Sequence, residues 1–188
     1  MNAIVTEVIR EAEIRQRVSE LGEAVSRDYE DRKPILIGVL TGAMWFFADL
    51  IRSISVEMEV EFFDLLRFGE GGRIRLALDS GTPLVDRDVI LVEDIVDTGL
   101  TLTVLKRMLV DRGAASVSVV TLLDKVPRRL VDVSLDYRGF EVGDEFLLGY
   151  GLDYQGKFRN LRSLWSVLDL PAFQTDPDVL FRAVADQH

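Results

Sequence analysis

The 188-residue chain contains no cysteine and one histidine, His188, its last residue. Disulfides, thiolate nucleophiles and cysteine-ligated zinc are thereby excluded, as are a Ser-His-Asp triad and a histidine metal cluster. Any metal must be held by oxygen, and any general base must be a carboxylate or a lysine. Basic residues are the minority, 22 against 32 acidic, for a formal charge of -10. That balance repels a nucleic-acid backbone and an anionic membrane, and no long basic block offsets it. No apolar run approaches the ~20 residues of a membrane span, and the first residues lack a basic stretch followed by an apolar core. The expectation is a cytoplasmic protein with neither nucleic acid nor membrane as partner. Internal repeats, low-complexity stretches and an evident linker are missing too, so one domain over residues 1–188, with 48% hydrophobic content for its core, is the default.

What is present alternates. Val8, Ile14, Val18, Leu21 and Val25 recur at mostly helical spacing and predict an amphipathic helix over residues 5–29, ended before Pro34. Residues 35–40 form a short apolar run, Thr41 and Gly42 break it, and helical spacing resumes over residues 43–51, a strand-loop-helix unit. Residues 56–63 alternate Glu57, Glu59 and Glu61 with Met58, Val60 and Phe62, as a half-buried strand does. Residues 73–78 alternate again beyond Gly69, Gly71 and Gly72, so a flexible two-stranded flap is expected over about residues 64–80. A second unit follows: the apolar run 89–92 is a strand buried on both faces, and Leu102, Leu105, Met108 and Leu109 continue at helical spacing until Gly113. Residues 116–123 are a further strand, delivering Asp124 and Lys125 to its carboxyl end, and residues 146–151 a short strand entering a turn. A C-terminal extension from about residue 171 carries a surface helix near residues 179–185. This order predicts an α/β fold, a mainly parallel sheet flanked by helices, with ligands beyond the strand carboxyl ends. Residues 40–42, residues 93–101, Lys125 and the turn at 150–153 converge on that edge.

The segment Glu93-Asp94-Ile95-Val96-Asp97-Thr98-Gly99-Leu100-Thr101 is the most informative. Asp97 or Thr98 alone would serve as a helix cap. Adjacent carboxylates at the end of a buried strand, however, repel each other and lose solvation, so their retention points to hydroxyl or cation partners. The turn before a helix aims N–H groups and the positive helix end at an anion, but the lysine of a Walker loop is absent. Vicinal hydroxyls beside one phosphate satisfy both halves, as in a ribose 5-phosphate.

With these segments in place, the chain resembles the hypoxanthine-guanine group of purine phosphoribosyltransferases over roughly residues 14–164. The likeness is carried by Gly38-Val39-Leu40-Thr41-Gly42-Ala43, Val92-Glu93-Asp94-Ile95-Val96-Asp97-Thr98-Gly99, Leu122-Leu123-Asp124-Lys125 and Leu148-Gly149-Tyr150-Gly151-Leu152-Asp153-Tyr154, followed by Arg159-Asn160-Leu161. It implies the type I phosphoribosyltransferase fold with a small hood, and purine salvage. In that reaction phosphoribosyl pyrophosphate and hypoxanthine or guanine give IMP or GMP and pyrophosphate, with Mg2+. Another oxo-base such as xanthine, or a sensor of phosphoribosyl pyrophosphate on the same fold, are the alternatives. By this resemblance Glu93 and Asp94 hold the ribose hydroxyls, and Asp97, Thr98, Gly99 and Thr101 belong to the 5-phosphate loop. Asp97 takes the purine N7 proton, and Lys125 donates to the 6-oxygen and so rejects adenine. Phe146 stacks on the base, and the Leu147 backbone reads its exocyclic edge. Asp153, with Glu93 and Asp94, forms the metal set; Leu40, Thr41, Gly42 and Arg159 take pyrophosphate. The likeness also implies a strained or cis Leu40–Thr41 peptide and a homo-oligomer, dimer or tetramer. Two places depart from the family pattern. Thr41 stands where a lysine is common, and Arg67 and Phe68 stand in the flap where a Ser-Tyr pair is usual, Phe68 as an aromatic lid and Arg67 as a pyrophosphate contact or a solvated charge.

Overall fold

The computed structural model describes residues 3–68, 73–78 and 81–186, with the backbone alone at 66–68 and 73–78. Two sheets organise it. The larger has the order β4-β3-β2-β5-β6-β7, in which β2 (Ile35–Leu40), β3 (Glu59–Phe68), β5 (Asp88–Val96), β6 (Ser116–Lys125) and β7 (Tyr137–Val142) run parallel. Only β4 (Arg73–Leu78) is antiparallel, paired to β3 from Asp64↔Leu78 to Phe68↔Arg73. That pair is the two-stranded flap; its tip, and the side chains of Arg67 and Phe68, lie outside the described residues. The smaller sheet, β1 (Val5–Ile9), β9 (Leu164–Val167) and β8 (Phe146–Leu148), is antiparallel throughout and forms the hood.

Alternation along the central strands sorts side chains to two faces. Leu36, Ile90 and Val92 pack with Ile14, Val18, Leu21 and Val25 of α1 (Glu11–Asp28) and with Phe46, Phe47 and Leu50 of α2 (Met44–Ser53). Ile35, Ile37, Val39, Val89 and Leu91 pack on the other side with Leu102, Leu105 and Leu109 of α3 (Leu100–Asp111). With both faces covered, these strands have no polar face to show, which is why they read as continuous apolar runs. Under the hood a third cluster joins Leu148, Trp165 and Val167 to Phe173 of α4 (Leu170–Thr175) and Leu180 of α5 (Val179–Ala185). Among the described residues no helix is long and apolar enough to cross a membrane.

The helix expected over residues 5–29 is corrected to a strand followed by a helix. Val5 and Ile9 are buried and β1 pairs with β9, from Val5↔Val167 to Ile9↔Leu164, while Val8 faces solvent. The helix begins only at Glu11, where the Glu13 carboxylate reaches back to accept the Arg10 backbone N–H at 3.1 Å. The strand expected at residues 56–63 begins instead at Glu59, where the Glu59 N–H donates to the Pro34 carbonyl and sets the register with β2. The helix expected near residues 179–185 is α5.

Candidate active site

Strands β2, β5 and β6 end side by side at Leu40, Val96 and Lys125, and a cavity of about 960 Å³ opens beyond them. Its walls include Leu40, Gly42, Glu93, Asp94, Asp97, Thr98, Gly99, Thr101, Lys125, Phe146, Leu147, Asp153 and Arg159. The sequence-derived set is thus brought to one place, with two exceptions. Thr41 is not itself a wall residue, although both its neighbours are, and its peptide bond to Leu40 is cis. Arg67 and Phe68 belong to the flap, whose near end contributes Leu65 to the wall.

The two adjacent acids sit inside β5 rather than past its end. Parallel pairing with β6 persists through Glu93↔Thr121 and Ile95↔Leu123 to Val96↔Asp124, four residues beyond the purely apolar run. Glu93 is buried. The Asp94 carboxylate lies against Gly42: a Cβ on that glycine would stand 1.7 Å from Asp94 Oδ2. Gly151 in turn packs on the Gly42 carbonyl, which a Cβ at 151 would meet at 2.0 Å. Only glycine at both places lets the backbone of the loop after β2 lie between an acid and the turn that carries Asp153. Asp94 Oδ1 accepts the Ile95 N–H at 2.7 Å. Even so, burial pushes the carboxyl up to about 6; its backbone hydrogen bonds and Arg159 oppose the rise, and Asp153 adds to it.

The turn between β5 and α3 is held from outside. Gly99 caps α3 in the left-handed region, φ 82°, where a side chain would be strained and a Cβ would crowd Val131, Val133 and Arg129. The Thr98 carbonyl points away from the cavity and accepts the Leu130 and Val131 N–H groups at 3.0 and 3.3 Å. Arg129 fixes that outer segment through Asp124, which is buried at the end of β6 and also takes Arg138.

Several charged groups around the cavity are engaged by neighbouring groups of the chain. Asp97 Oδ1 accepts from Arg128 Nε at 3.0 Å, both side chains about half exposed. Lys125 Nζ donates at 2.7 Å to the carbonyl of Glu145, the residue before Phe146. Arg159 pairs with Asp153 at 2.7 Å and donates to the Gly151 carbonyl at 2.6 Å. Phe146 is 37% exposed at the rim, and Leu147 behind it is buried. The cavity therefore offers acid groups and a helix-capping turn from β5 and α3, and a cation and an exposed aromatic ring from β6 and β8. That is the polarity a nucleotide needs. Among the described residues no three carboxylates gather closely enough to hold a metal by themselves.

Arg128, Asp144, Leu152 and Leu170 also line the cavity and were not singled out from the sequence. Arg128 had a signal, three residues after Lys125 across Pro127 in a tight 3-10 turn. Leu170 had none, being one apolar residue in an extension without periodicity.

The family model "Phosphoribosyl transferase domain" matches residues 5–155. The hypoxanthine-guanine phosphoribosyltransferase of Bacillus subtilis (strain 168) is 43% identical over 158 residues, 82% of this chain and 88% of that protein. The crystal structure of a hypoxanthine-guanine phosphoribosyltransferase from Bacillus anthracis superposes with a TM-score of 0.84 at 37% identity, covering 88% of this chain and all of that one. A Trypanosoma cruzi hypoxanthine phosphoribosyl transferase, from work on the role of its C-terminal region in oligomeric state and enzymatic activity, superposes at 0.85 with 35% identity over 92% of this chain and 95% of its own. Motifs, topology and likeness together show that the chain belongs to the phosphoribosyltransferase family, in its hypoxanthine-guanine group.

Proposed function

We propose that the protein is a purine-salvage enzyme that transfers the 5-phosphoribosyl group of phosphoribosyl pyrophosphate to hypoxanthine or guanine, releasing IMP or GMP and pyrophosphate. The observation that carries the reading is the meeting of Asp97, Lys125 and Phe146 with Glu93, Asp94 and the Gly42 loop around one cavity. In this reading the base stacks on Phe146 and accepts a hydrogen bond from Lys125 at its 6-oxygen, while the Leu147 backbone meets its exocyclic edge. Electron withdrawal at that oxygen makes the N7 proton more acidic, and Asp97 removes it as N9 attacks the anomeric carbon and the C1–pyrophosphate bond breaks. Glu93 and Asp94 accept from the ribose hydroxyls, and the N–H groups and hydroxyls at Asp97, Thr98, Gly99 and Thr101 hold the 5-phosphate. Leu40, Thr41, Gly42 and Arg159 receive pyrophosphate, and flap residues Arg67 and Phe68 close over it to exclude water.

The all-oxygen donors Asp153, Glu93 and Asp94 suit Mg2+, which takes one or two carboxylates together with substrate phosphates and water rather than a protein cage. Bound there, directly or through water, the ion would offset charge on the departing pyrophosphate. The reading takes residues 1–188 as one domain acting in the cytoplasm, and a homo-oligomer as its assembly, in keeping with the attention to oligomeric state in the Trypanosoma cruzi relative. The test is a panel of free bases offered with phosphoribosyl pyrophosphate and Mg2+, products identified by mass. Hypoxanthine or guanine should be converted and adenine should be far poorer. Equal turnover of adenine would remove Lys125 from its role, and no turnover of any 6-oxopurine would remove the function.

A further inference from the structure

The family match ends at residue 155, and the two short helices beyond β9 lie outside it. They are nevertheless led back to the cavity. Val167 of β9 stands opposite Phe146 of β8 in the hood. The next two N–H groups, of Leu168 and Asp169, turn to the Ile4 carbonyl and end the pairing. Asp169 then caps α4, its Oδ1 accepting the Ala172 N–H at 3.0 Å, with Pro171 in the first turn. This places Leu170 in the cavity wall.

A run of rings connects the same helix to the rim. Phe146 meets Tyr154 nearly at right angles, 88° with centroids 6.2 Å apart, and Tyr154 meets Phe173 at 72° and 5.4 Å. Phe173 is fully buried and is itself backed by Phe158 at 6.0 Å. Edge-to-face contacts are directional, so a rim ring that would otherwise turn freely acquires a preferred plane from its neighbour, and that neighbour from the next. A stacking platform gains by such preorganisation, because a ring already in plane loses less freedom when the base arrives.

We propose that the C-terminal extension is part of the base pocket. Leu170 supplies an apolar part of the wall that Phe146 also lines, and Phe173 is a positioning residue that, through Tyr154, sets the plane of the Phe146 ring for a planar, uncharged heteroaromatic base. The inference rests on Phe146 being the stacking platform. The phosphoribosyl end of the cavity is built from β2, β5 and α3 together with Asp153 and Arg159; of the residues in this proposal only Tyr154 adjoins that set, so Leu170 and Phe173 should affect the two substrates differently.

The test uses the full chain with Leu170→Ala, Phe173→Leu, Tyr154→Leu and the Phe173→Leu/Tyr154→Leu double variant. KM for hypoxanthine and guanine should rise about fivefold to tenfold in each single variant, with KM for phosphoribosyl pyrophosphate within about twofold of wild type. The double variant should raise the base KM no further than the larger single change, since both break one relay. Leu170 is partly exposed, so Leu170→Ala keeps the question open should Phe173→Leu fold poorly. Unchanged base KM in Leu170→Ala, or equal increases for both substrates, overturns the proposal. A wild-type chain that transfers to no 6-oxopurine overturns the functional reading itself, whereas active wild type with unresponsive variants overturns only this one.

Discussion

Asp97 carries the largest expected effect of any single side chain. It is proposed here to accept the N7 proton, and on that reading Asp97→Asn should lower kcat by roughly 10²–10⁴ while KM for phosphoribosyl pyrophosphate changes little. Steady-state kinetics with hypoxanthine checks this, and near-normal kcat would exclude it as the base. Asp94 makes a different prediction, about stability. Burial raises its carboxyl to about 6 in the folded chain, from the ordinary 3.8. The folded state therefore holds this proton more tightly than the unfolded one. The stabilisation is complete below about pH 3.8 and is lost as pH rises through about 6, leaving a penalty of order 2–3 kcal/mol above it. Asp94→Asn keeps an oxygen for the Ile95 N–H and carries no charge, so it should melt higher than wild type at pH 8 and lose that advantage by pH 4. Equal melting temperatures at pH 8 would contradict the buried-charge account. Most residues of this site were legible in the sequence because their spacing is dictated by one turn. Asp97, Thr98 and Gly99 follow a buried strand and precede a helix, whatever else the fold does. Arg128 was not singled out: its spacing after Lys125 was there to read, but its partner Asp97 emerges only when β6 and β5 are laid side by side.

The elements were legible in proportion to how fully they are buried or how regularly they alternate. β2, β5 and β6 announce themselves as apolar runs, and α3 as a helical stripe. β9 spans four residues, all buried, too short for either period to register, and β7 carries Arg138, Gly139 and Glu141 at the sheet edge. β1 failed for another reason. Val5, Val8 and Ile9 fit a helical spacing as well as a strand, and only pairing with β9, distant in sequence, decides it. The turn from β5 into α3 is the element whose backbone can be tested alone. Gly99→Ala forces a side chain into a left-handed conformation and against Val131 and Val133, so it should cost about 1–2 kcal/mol in denaturant unfolding. It should also raise KM for phosphoribosyl pyrophosphate, because the cap it distorts lines that end of the cavity. Unaltered unfolding would mean that the turn adapts without strain.

Across the whole molecule, five parallel strands between two helical layers place the carboxyl ends of β2, β5 and β6 within one opening, and the hood supplies the other wall. The parallel sheet followed from the alternation of strands and helices. The hood could not, since it joins the first strand to the ninth and its partners share no local pattern. In the assembled cavity Asp97 is engaged by Arg128, Asp153 by Arg159, and Lys125 by the Glu145 carbonyl. Ligand entry is then an exchange of partners rather than the filling of vacant charges. An incoming anion must displace an internal companion for each of these cations it engages, and only a molecule that engages several of them together recovers what it disrupts. Inorganic sulfate should accordingly inhibit only at concentrations of order tens of millimolar, where single-contact affinities lie; sub-millimolar inhibition in a competition assay would contradict it. A chain whose net charge is -10 thus keeps the few cations of its cavity occupied by its own acids and carbonyls, and small anions abundant in a cell find little to hold them there.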